Sequence, residues 1–179
     1  TAPLPEHFLS PYPHSKKLAE EFVLKESNGT TLKALALRPH LIWGPGDPHF
    51  IPRLIERAKS GKLRAIGKRN NLVDVTFVDN AAAAHVDALE ELQKNPKLSG
   101  RAYFIGQERP VNLWGFLDNF IAAAGAPKIK GTIPFSVAYA LGWGCEVFYK
   151  FFRTKKEPPM TRFLAASFST NHYFDHSRA

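Results

Sequence analysis

The feature that most constrains the fold is a short apolar run that follows a helical pattern near the amino end of the sequence. Residues 32–37 are apolar after one lysine and show no polar alternation. Such a run is typical of a strand covered on both faces in a parallel sheet. Residues 12–29 precede it with an apolar face of Leu18, Phe22 and Val23 and end in an Asn-Gly pair, a common helix C-cap. A helix followed by a buried strand predicts an α/β protein.

A loop rich in glycine and proline comes after this strand. Residues 44–48 read Gly-Pro-Gly-Asp-Pro, and neither a helix nor a strand continues through such a segment. In parallel sheets, ligands bind where the chain leaves the carboxyl ends of the strands. We therefore expect a ligand site close to residues 38–48.

The rest of the chain predicts further alternation of helices and strands. Asp79 and Asn112 are the predicted N-caps of two of the helices, because short polar side chains accept hydrogen bonds from free backbone N–H groups there. The predicted helices cover residues 50–60, 80–92, 113–124, 133–152 and 161–168, and the predicted strands cover residues 72–78 and 102–105.

The charge of the chain is strongly positive. It has 24 Lys and Arg against 16 Asp and Glu, which gives a formal net charge of +8. Most of the excess lies in residues 53–69 and 150–162. Such an excess suits a nucleic acid, a membrane surface or an anionic substrate. The sequence contains no recognisable nucleic-acid-binding motif, so we expect no nucleic-acid partner.

Cysteine and histidine usage limits the remaining classes. The single cysteine, Cys145, excludes an internal disulfide framework and favours a reducing compartment. The sequence does not open with an export signal, so we expect a cytoplasmic location. Its seven histidines lack the spacing of a zinc site, so we expect no metal.

Tyr12 and Lys16 are the first residues whose spacing points to chemistry. They are four positions apart at the start of the predicted helix, so their side chains share one face about one turn apart. A nearby ammonium stabilises a tyrosinate. The sequence therefore predicts that Lys16 turns Tyr12 into an acid–base group, although the spacing alone also occurs on ordinary exposed helices.

The sequence context of this pair carries a resemblance. Residues 37–47 read Leu-Arg-Pro-His-Leu-Ile-Trp-Gly-Pro-Gly-Asp, and residues 71–80 read Asn-Leu-Val-Asp-Val-Thr-Phe-Val-Asp-Asn, with Ala84-His85 after them. Together with the Tyr-Lys pair, they resemble the extended short-chain dehydrogenase/reductase superfamily. Within it they look most like the 3β-hydroxysteroid dehydrogenase branch, and especially the sterol-4α-carboxylate 3-dehydrogenases. The likeness runs from about residue 10 to residue 179.

The resemblance implies a fold. It predicts the later part of a doubly wound Rossmann-type parallel sheet together with a smaller α/β substrate domain. The implied cofactor domain comprises residues 1–47 and 79–112, and the implied substrate domain comprises residues 48–78 and 113–179.

The resemblance also implies an activity, which is hydride transfer between a 3β-hydroxyl carbon and NAD or NADP. Tyr12 would take the hydroxyl proton, and Lys16 would hold the ribose and tune the tyrosine. A steroid or sterol is the implied substrate. The further implied cofactor contacts are Pro39, His40, Leu41 and Ile42, and the implied substrate contacts are Asn71 and Phe77.

The sequence also departs from the family pattern. It has no Gly-x-x-Gly-x-x-Gly turn, which the family uses to hold the dinucleotide phosphates. The catalytic Ser or Thr expected upstream of the tyrosine is absent as well. We therefore expect the carboxy-terminal portion of a longer enzyme, inactive by itself and without tight dinucleotide binding.

Two other functions fit the same scaffold. Nucleotide-sugar epimerases and dehydratases use basic residues in this part of the fold to hold a diphosphate, which residues 53–69 would supply. The alternative interpretation of those residues is a solvated helix face. A non-catalytic relative is the second possibility, and the presence of both Tyr12 and Lys16 favours an enzyme.

The segment 133–156 suggests contact with a lipid surface. Its aromatic residues and its basic end, which includes Lys155 and Lys156, are typical of a helix lying at a membrane interface. Two charges and two glycines inside it argue against a membrane-spanning helix. Packing on the substrate domain is the alternative. The resemblance further implies a homodimer.

Overall fold

A computed structural model of the chain describes residues 7–29, 31–48, 50–153 and 158–179. Lys155 and Lys156, the predicted lipid contacts, lie outside the described residues. The helices, in chain order, are α1 (Pro11–Glu26), α2 (Phe50–Lys59), α3 (Val78–Lys94), α4 (Leu113–Ala123), α5 (Phe135–Phe151) and α6 (Arg162–Ser167). The strands are β1 (Ala36–Pro39), β2 (Ile42–Trp43), β3 (Ala65–Ile66), β4 (Leu72–Val73), β5 (Thr76–Phe77), β6 (Ala102–Ile105), β7 (Val111–Asn112) and β8 (Thr132–Ile133).

The chain divides into two compact units. Residues 174–179 return to the first unit, although the boundary expected from the sequence put them in the second domain. The assignment of one predicted domain to the cofactor and of the other to the substrate stays a prediction. The first unit comprises residues 1–45, 74–109 and 174–179, and the second comprises residues 46–73 and 110–173.

Parallel strand pairs form the centre of the first unit. Strands β1 and β6 are parallel, with Ala36 opposite Ala102 and Pro39 opposite Ile105. Strands β2 and β5 form a second parallel pair. Helices and parallel strands together confirm the predicted α/β class.

Two helices cover the two faces of the β1–β6 pair. Nε of Arg38 donates to the carboxylate of Glu20 in α1. Leu37 instead lines a cavity together with Ala83 and Ala84 of α3. Because successive strand residues point to opposite faces, α1 and α3 lie on opposite sides of the pair. This is the layering of a doubly wound sheet.

Strand β1 differs from its prediction in position and in burial. It covers residues 36–39 rather than 32–37, and all four residues are only half-buried. Among the described residues, β1 pairs with β6 alone, so one of its edges has no neighbouring strand. The prediction of a strand buried on both faces is therefore wrong, because β1 is only partly buried. The apolar face of α1 is exposed as well, with Phe22 65% accessible to solvent.

The predicted strand 72–78 is interrupted. Residues 72–73 and 76–77 form β4 and β5, with Asp74 and Val75 between them, because β4 pairs with β7 in an antiparallel ladder and β5 pairs with β2 in a parallel one. The predicted N-cap at Asp79 is also wrong, since α3 begins at Val78 without a side-chain cap. Asp79 instead lies in the first turn, where its charge favours the helix dipole.

The second unit has its core between helices. Leu54 and Ala58 of α2 are buried, as are Trp114, Leu117 and Ile121 of α4. Asn112 caps α4 as predicted, accepting a hydrogen bond from the Gly115 N–H at 2.8 Å. Strands β3 and β8 are parallel, whereas β4 and β7 are antiparallel.

Helices α5 and α6 pack closely in the same unit. Ala138 of α5 and Ala165 of α6 have no solvent exposure. Glu146, an acid inside the apolar α5 sequence, accepts hydrogen bonds from the Arg162 backbone N–H at 2.8 Å and from its Nε at 2.7 Å. In the described ranges, no helix combines the length and the apolar character needed to cross a bilayer.

Candidate active site

The start of α1 holds Tyr12 in a fixed first turn. The Ser10 hydroxyl accepts a hydrogen bond from the Tyr12 backbone N–H at 3.3 Å, and Pro11 occupies the first helical position. The Ser15 hydroxyl donates to the Tyr12 carbonyl at 2.8 Å. Ser10 therefore caps the helix, and the proline needs no hydrogen-bond partner there.

The predicted Tyr-Lys pair is adjacent on this helix. Nζ of Lys16 lies 5.8 Å from the centroid of the Tyr12 ring. Tyr12 is 65% exposed and Lys16 is exposed too, so both side chains are open to a ligand. An ammonium at this distance is attracted to the ring face. The helical spacing thus places an amine beside a phenol, while the catalytic role of the pair stays a prediction.

The predicted cofactor contacts lie in a turn at the end of β1. Pro39 is the last residue of β1, and Ile42 begins β2, opposite Thr76 of β5. Between them, Leu41 has a φ of +43°, in the left-handed region that residues other than glycine rarely adopt. The His40 ring lies edge-on to the Phe174 ring, with centroids 5.8 Å apart. The chain therefore turns sharply at the carboxyl end of a parallel strand.

Thr76 holds this turn, and sequence reasoning missed it. Its side chain has no solvent exposure. Its Oγ1 donates toward the carbonyls of His40 at 3.0 Å and Ile105 at 3.2 Å. Its backbone N–H donates to the Leu41 carbonyl at 3.2 Å. A polar residue inside a predicted buried strand was the available signal, because a buried hydroxyl needs a hydrogen-bond partner.

The predicted substrate contacts are found in different units. Phe77 belongs to the first unit, where its ring lies 4.9 Å from the Trp43 ring. Asn71 belongs to the second unit and is 3% exposed. Nδ2 of Asn71 donates to the Thr170 carbonyl at 3.3 Å. These contacts support the local fold at both residues, and their roles toward a substrate stay predictions.

A buried carboxylate and a histidine form a further cluster in the first unit. Asp74 is 1% exposed, and its Oδ2 accepts a hydrogen bond from the Phe174 N–H at 2.7 Å. The same oxygen lies 3.0 Å from Nε2 of His176. A Cβ atom on Gly106 would come within 2.6 Å of the His176 ring, so only glycine leaves room for it. The cluster holds Phe174 and His176 against Asp74 and against Gly106, the residue that follows β6.

The first unit contains a cavity of about 1010 Å³ beside α3. Apolar residues of β1 and β6 and small residues of α3 line it, together with His176. Among the described residues, neither Tyr12 nor Lys16 lines this cavity, and neither does any of residues 39–42. The predicted catalytic pair therefore lies on the surface of α1 rather than inside this cavity.

The basic segment 53–69 makes contacts within the protein. Nη2 of Arg57 donates to the Pro159 carbonyl at 3.1 Å, and Arg64 donates to the Gly61 carbonyl at 2.7 Å. Nη2 of Arg69 forms an ion pair with Asp118 at 2.6 Å. These contacts favour the interpretation of the segment as a helix face followed by its exit loop. They give less support to an anion site.

Comparison with known families gives one match over most of the chain. Residues 1–136 match the model of the "3-beta hydroxysteroid dehydrogenase/isomerase family". The match covers the Tyr-Lys pair and the turn at residues 39–42. The family expected from the sequence motifs is confirmed.

Similar proteins share about half of their length with this chain. A 2-alkyl-3-oxoalkanoate reductase of Shewanella oneidensis is 44% identical over 100% of this chain and 48% of its own length. A decarboxylating sterol-4-alpha-carboxylate 3-dehydrogenase of Schizosaccharomyces pombe is 34% identical over 99% of this chain and 52% of its own length. The narrower prediction, that the shared half is the carboxy-terminal one, is not confirmed by these matches.

A solved structure shows the same fold. The UDP-glucuronic acid 4-epimerase of Bacillus cereus, in complex with UDP-glucuronic acid and NAD, superimposes with a TM-score of 0.61. The superposition covers 99% of this chain and 48% of the epimerase, at 18% sequence identity. At that identity the likeness supports the Rossmann-type fold alone.

Proposed function

Since the chain belongs to the 3-beta hydroxysteroid dehydrogenase/isomerase family, we propose that it acts in an NAD(P)-dependent oxidoreductase that interconverts a secondary alcohol and a ketone. The observation that carries the proposal is the exposed phenol of Tyr12 with the Lys16 ammonium 5.8 Å from its ring centroid. The pair stands on a helix beside the parallel strands of a Rossmann-type unit.

The residues of the first unit suit a dinucleotide. Lys16 offers an exposed ammonium that can donate to ribose hydroxyls. The turn of Pro39, His40, Leu41 and Ile42 lies at the carboxyl end of β1, where doubly wound sheets bind nucleotides. We assign both to the cofactor. A bound nicotinamide, of NAD or of NADP, would supply the hydride acceptor or donor.

Tyr12 is the proposed acid–base group. In the oxidative direction its phenolate takes the proton of the substrate hydroxyl as the carbinol carbon becomes a carbonyl carbon. In the reductive direction the phenol returns that proton to the new alkoxide. A proton transfer of this kind contributes roughly 10²- to 10⁴-fold to a rate.

The proposed substrate is a 2-substituted 3-hydroxy or 3-oxo carboxylate. The names of the two similar enzymes indicate substrates of this kind. In both substrates, the carbon that bears the reacting oxygen is bonded to the carbon that carries the carboxylate. The carbon between carries an alkyl group in one name, and in the other it is ring carbon 4 of a sterol. A sterol 4α-carboxylate is therefore one candidate, and an open-chain 2-alkyl-3-oxo acid is the other.

Replacing Tyr12 tests the proposal. In the full-length protein, Tyr12→Phe should reduce turnover of a 2-alkyl-3-oxo acid by at least about 100-fold and leave NADH binding unchanged, because only the hydroxyl is lost. Tyr173→Phe is the matched control, since Tyr173 is a half-exposed tyrosine in the other unit. Unchanged turnover in Tyr12→Phe would exclude it as the acid–base group, and turnover of UDP-sugars alone would favour an epimerase.

We also propose that α5 contacts a lipid surface. Its solvent-facing side carries large apolar residues, including Trp143 at 56% and Phe151 at 79% exposure. Lys150 and Arg153 at its end suit anionic headgroups. Co-sedimentation with phosphatidylserine vesicles should fall in Trp143→Ser and Phe151→Ser but not in the control Leu89→Ser. Absence of binding by the wild type would reject the contact.

A homodimer through α1 is the remaining proposal. The apolar residues Leu18 and Phe22 are more than half exposed on this helix, and α1 has no buried residue. An exposed apolar stripe of this kind is typical of an interface. Sedimentation equilibrium should show a dimer that Phe22→Ser weakens, whereas a wild-type monomer would contradict pairing.

A further inference from the structure

We infer that Thr76 is a positioning residue that sets the geometry of the turn at residues 39–42 for the cofactor. The inference rests on the proposed function, which assigns that turn to cofactor binding. Thr76 itself lies beneath the turn, with no exposed surface. It therefore acts through the backbone it holds.

The hydrogen bonds of Thr76 reach both peptide groups around Leu41. Its Oγ1 lies 3.0 Å from the His40 carbonyl oxygen, which belongs to the peptide before Leu41. Its backbone N–H lies 3.2 Å from the Leu41 carbonyl oxygen, which belongs to the peptide after it. Because both carbonyls are held by one residue, the orientation of both peptide planes is set.

This hold matters because the turn is conformationally unfavourable. Leu41 adopts a φ of +43° without being glycine. A backbone conformation of this kind persists only where its surroundings hold it in place. Without the Thr76 hydroxyl, the His40 carbonyl would lose this buried donor, and the peptide between His40 and Leu41 would be held less firmly.

The same hydroxyl also joins two strand ends. Its Oγ1 lies 3.2 Å from the Ile105 carbonyl oxygen at the end of β6. The single hydroxyl proton is therefore shared between this carbonyl and that of His40 in the turn after β1. The turn is held on another side by Phe174, whose ring meets that of His40. The position of the turn thus depends on contacts from β5, β6 and the segment 174–179.

The variants Thr76→Val and Thr76→Ser separate positioning from packing. Valine keeps the shape of threonine without the hydroxyl, whereas serine keeps the hydroxyl. Ser99→Ala is the matched control, because the Ser99 hydroxyl bonds to the Ala34 backbone at 3.2 and 3.3 Å, near the amino end of β1. It removes a comparable hydrogen bond from the same unit far along the strand from the turn.

The expected result is a selective loss at the turn. In the full-length protein, Thr76→Val should raise the dissociation constant of NADH or NADPH, whichever the wild type binds more tightly, about tenfold, the size expected for one lost buried hydrogen bond. It should raise the KM for the cofactor to a similar extent and leave kcat within about twofold. In the cofactor-free protein, amide exchange at residues 40–43 should become about tenfold faster. Thr76→Ser should restore all three, and Ser99→Ala should change none.

Two results would overturn the inference in distinguishable ways. If Thr76→Val lowers the unfolding midpoint as Ser99→Ala does, with cofactor binding and amide exchange at the turn unchanged, Thr76 has only a structural role. If the wild-type protein binds neither NADH nor NADPH, the proposed function fails, and the inference about the cofactor fails with it.

Discussion

Arg38 in β1 and Glu20 in α1 form a two-point ion pair across the helix–strand contact of the first unit. Nε of Arg38 donates to one carboxylate oxygen at 2.7 Å, and Nη2 donates to the other. Both side chains are less than one-fifth exposed. The hydrogen bond to Glu20 raises the pKa of Arg38, so the guanidinium stays charged. The pair connects the helix that carries Tyr12 to the strand that ends at the proposed cofactor turn.

Loss of the Glu20 charge should destabilise the protein clearly. Glu20→Gln leaves the guanidinium of Arg38, which is less than one-fifth exposed, without its counter-charge, and we expect this to cost about 2 kcal/mol in the free energy of unfolding. Glu21→Gln is the control, since the Glu21 side chain is about half exposed and lies 3.6 Å from Lys17 Nζ, so its loss should cost less than about 0.5 kcal/mol. Urea unfolding measures both, and equal losses would contradict a special role for the Arg38 contact.

Two glycines of α5 should respond oppositely to the same substitution. A Cβ at Gly142 would come within 2.5 Å of the Thr161 carbonyl carbon, whereas a Cβ at Gly144 meets nothing within 4 Å. Gly142→Ala should therefore cost about 1–3 kcal/mol through overpacking against the start of α6. Gly144→Ala should stabilise by about 0.5–1 kcal/mol, because alanine favours a helix interior. Thermal unfolding distinguishes them, and a stabilised Gly142→Ala would disprove the close α5–α6 contact.

Two helix starts were predicted well from local signals. The helix start at Tyr12 and the Asn112 cap depend on residues within one turn of each other, so their pattern is visible in the chain. Thr76 bonds to carbonyls 36 and 29 positions away. Asp74 bonds to the N–H of Phe174, 100 positions away. Nothing in the local sequence indicates such partners, so the contact between Asp74 and Phe174 and the hold on the turn appeared only in the folded chain.

The stability of the second unit should depend on the protonation of His172. Burial lowers the pKa of this imidazole, and a backbone hydrogen bond to Ala166 offsets the effect only in part. The folded state therefore binds the proton less readily than the unfolded state does. Above the ordinary histidine pKa of about 6.5 both states are neutral, and stability is lost as the pH falls below it.

The His172 prediction is tested by a difference between variants. The unfolding midpoint should fall between pH 7.5 and pH 5 by more in the wild type than in His172→Gln, which cannot be protonated. His14→Gln serves as the control because His14 is exposed in the other unit. An equal fall in the wild type and His172→Gln would show that this imidazole does not contribute.

Removal of the Asp74 carboxylate should release the segment 174–179 from the first unit. Asp74→Ala leaves the Phe174 N–H without its acceptor and the His176 ring without the oxygen 3.0 Å away. We expect a loss of about 2–3 kcal/mol, because the Phe174 N–H and the His176 ring both lose the oxygen that contacts them. Asp175→Ala is the control, since Asp175 accepts only a local hydrogen bond from Ser177 at an exposed position. Amide exchange at Phe174 should accelerate in Asp74→Ala alone. Because Phe174 packs against His40, the same variant should loosen the turn at residues 39–42, and unchanged exchange there would show that the turn is held without the segment 174–179.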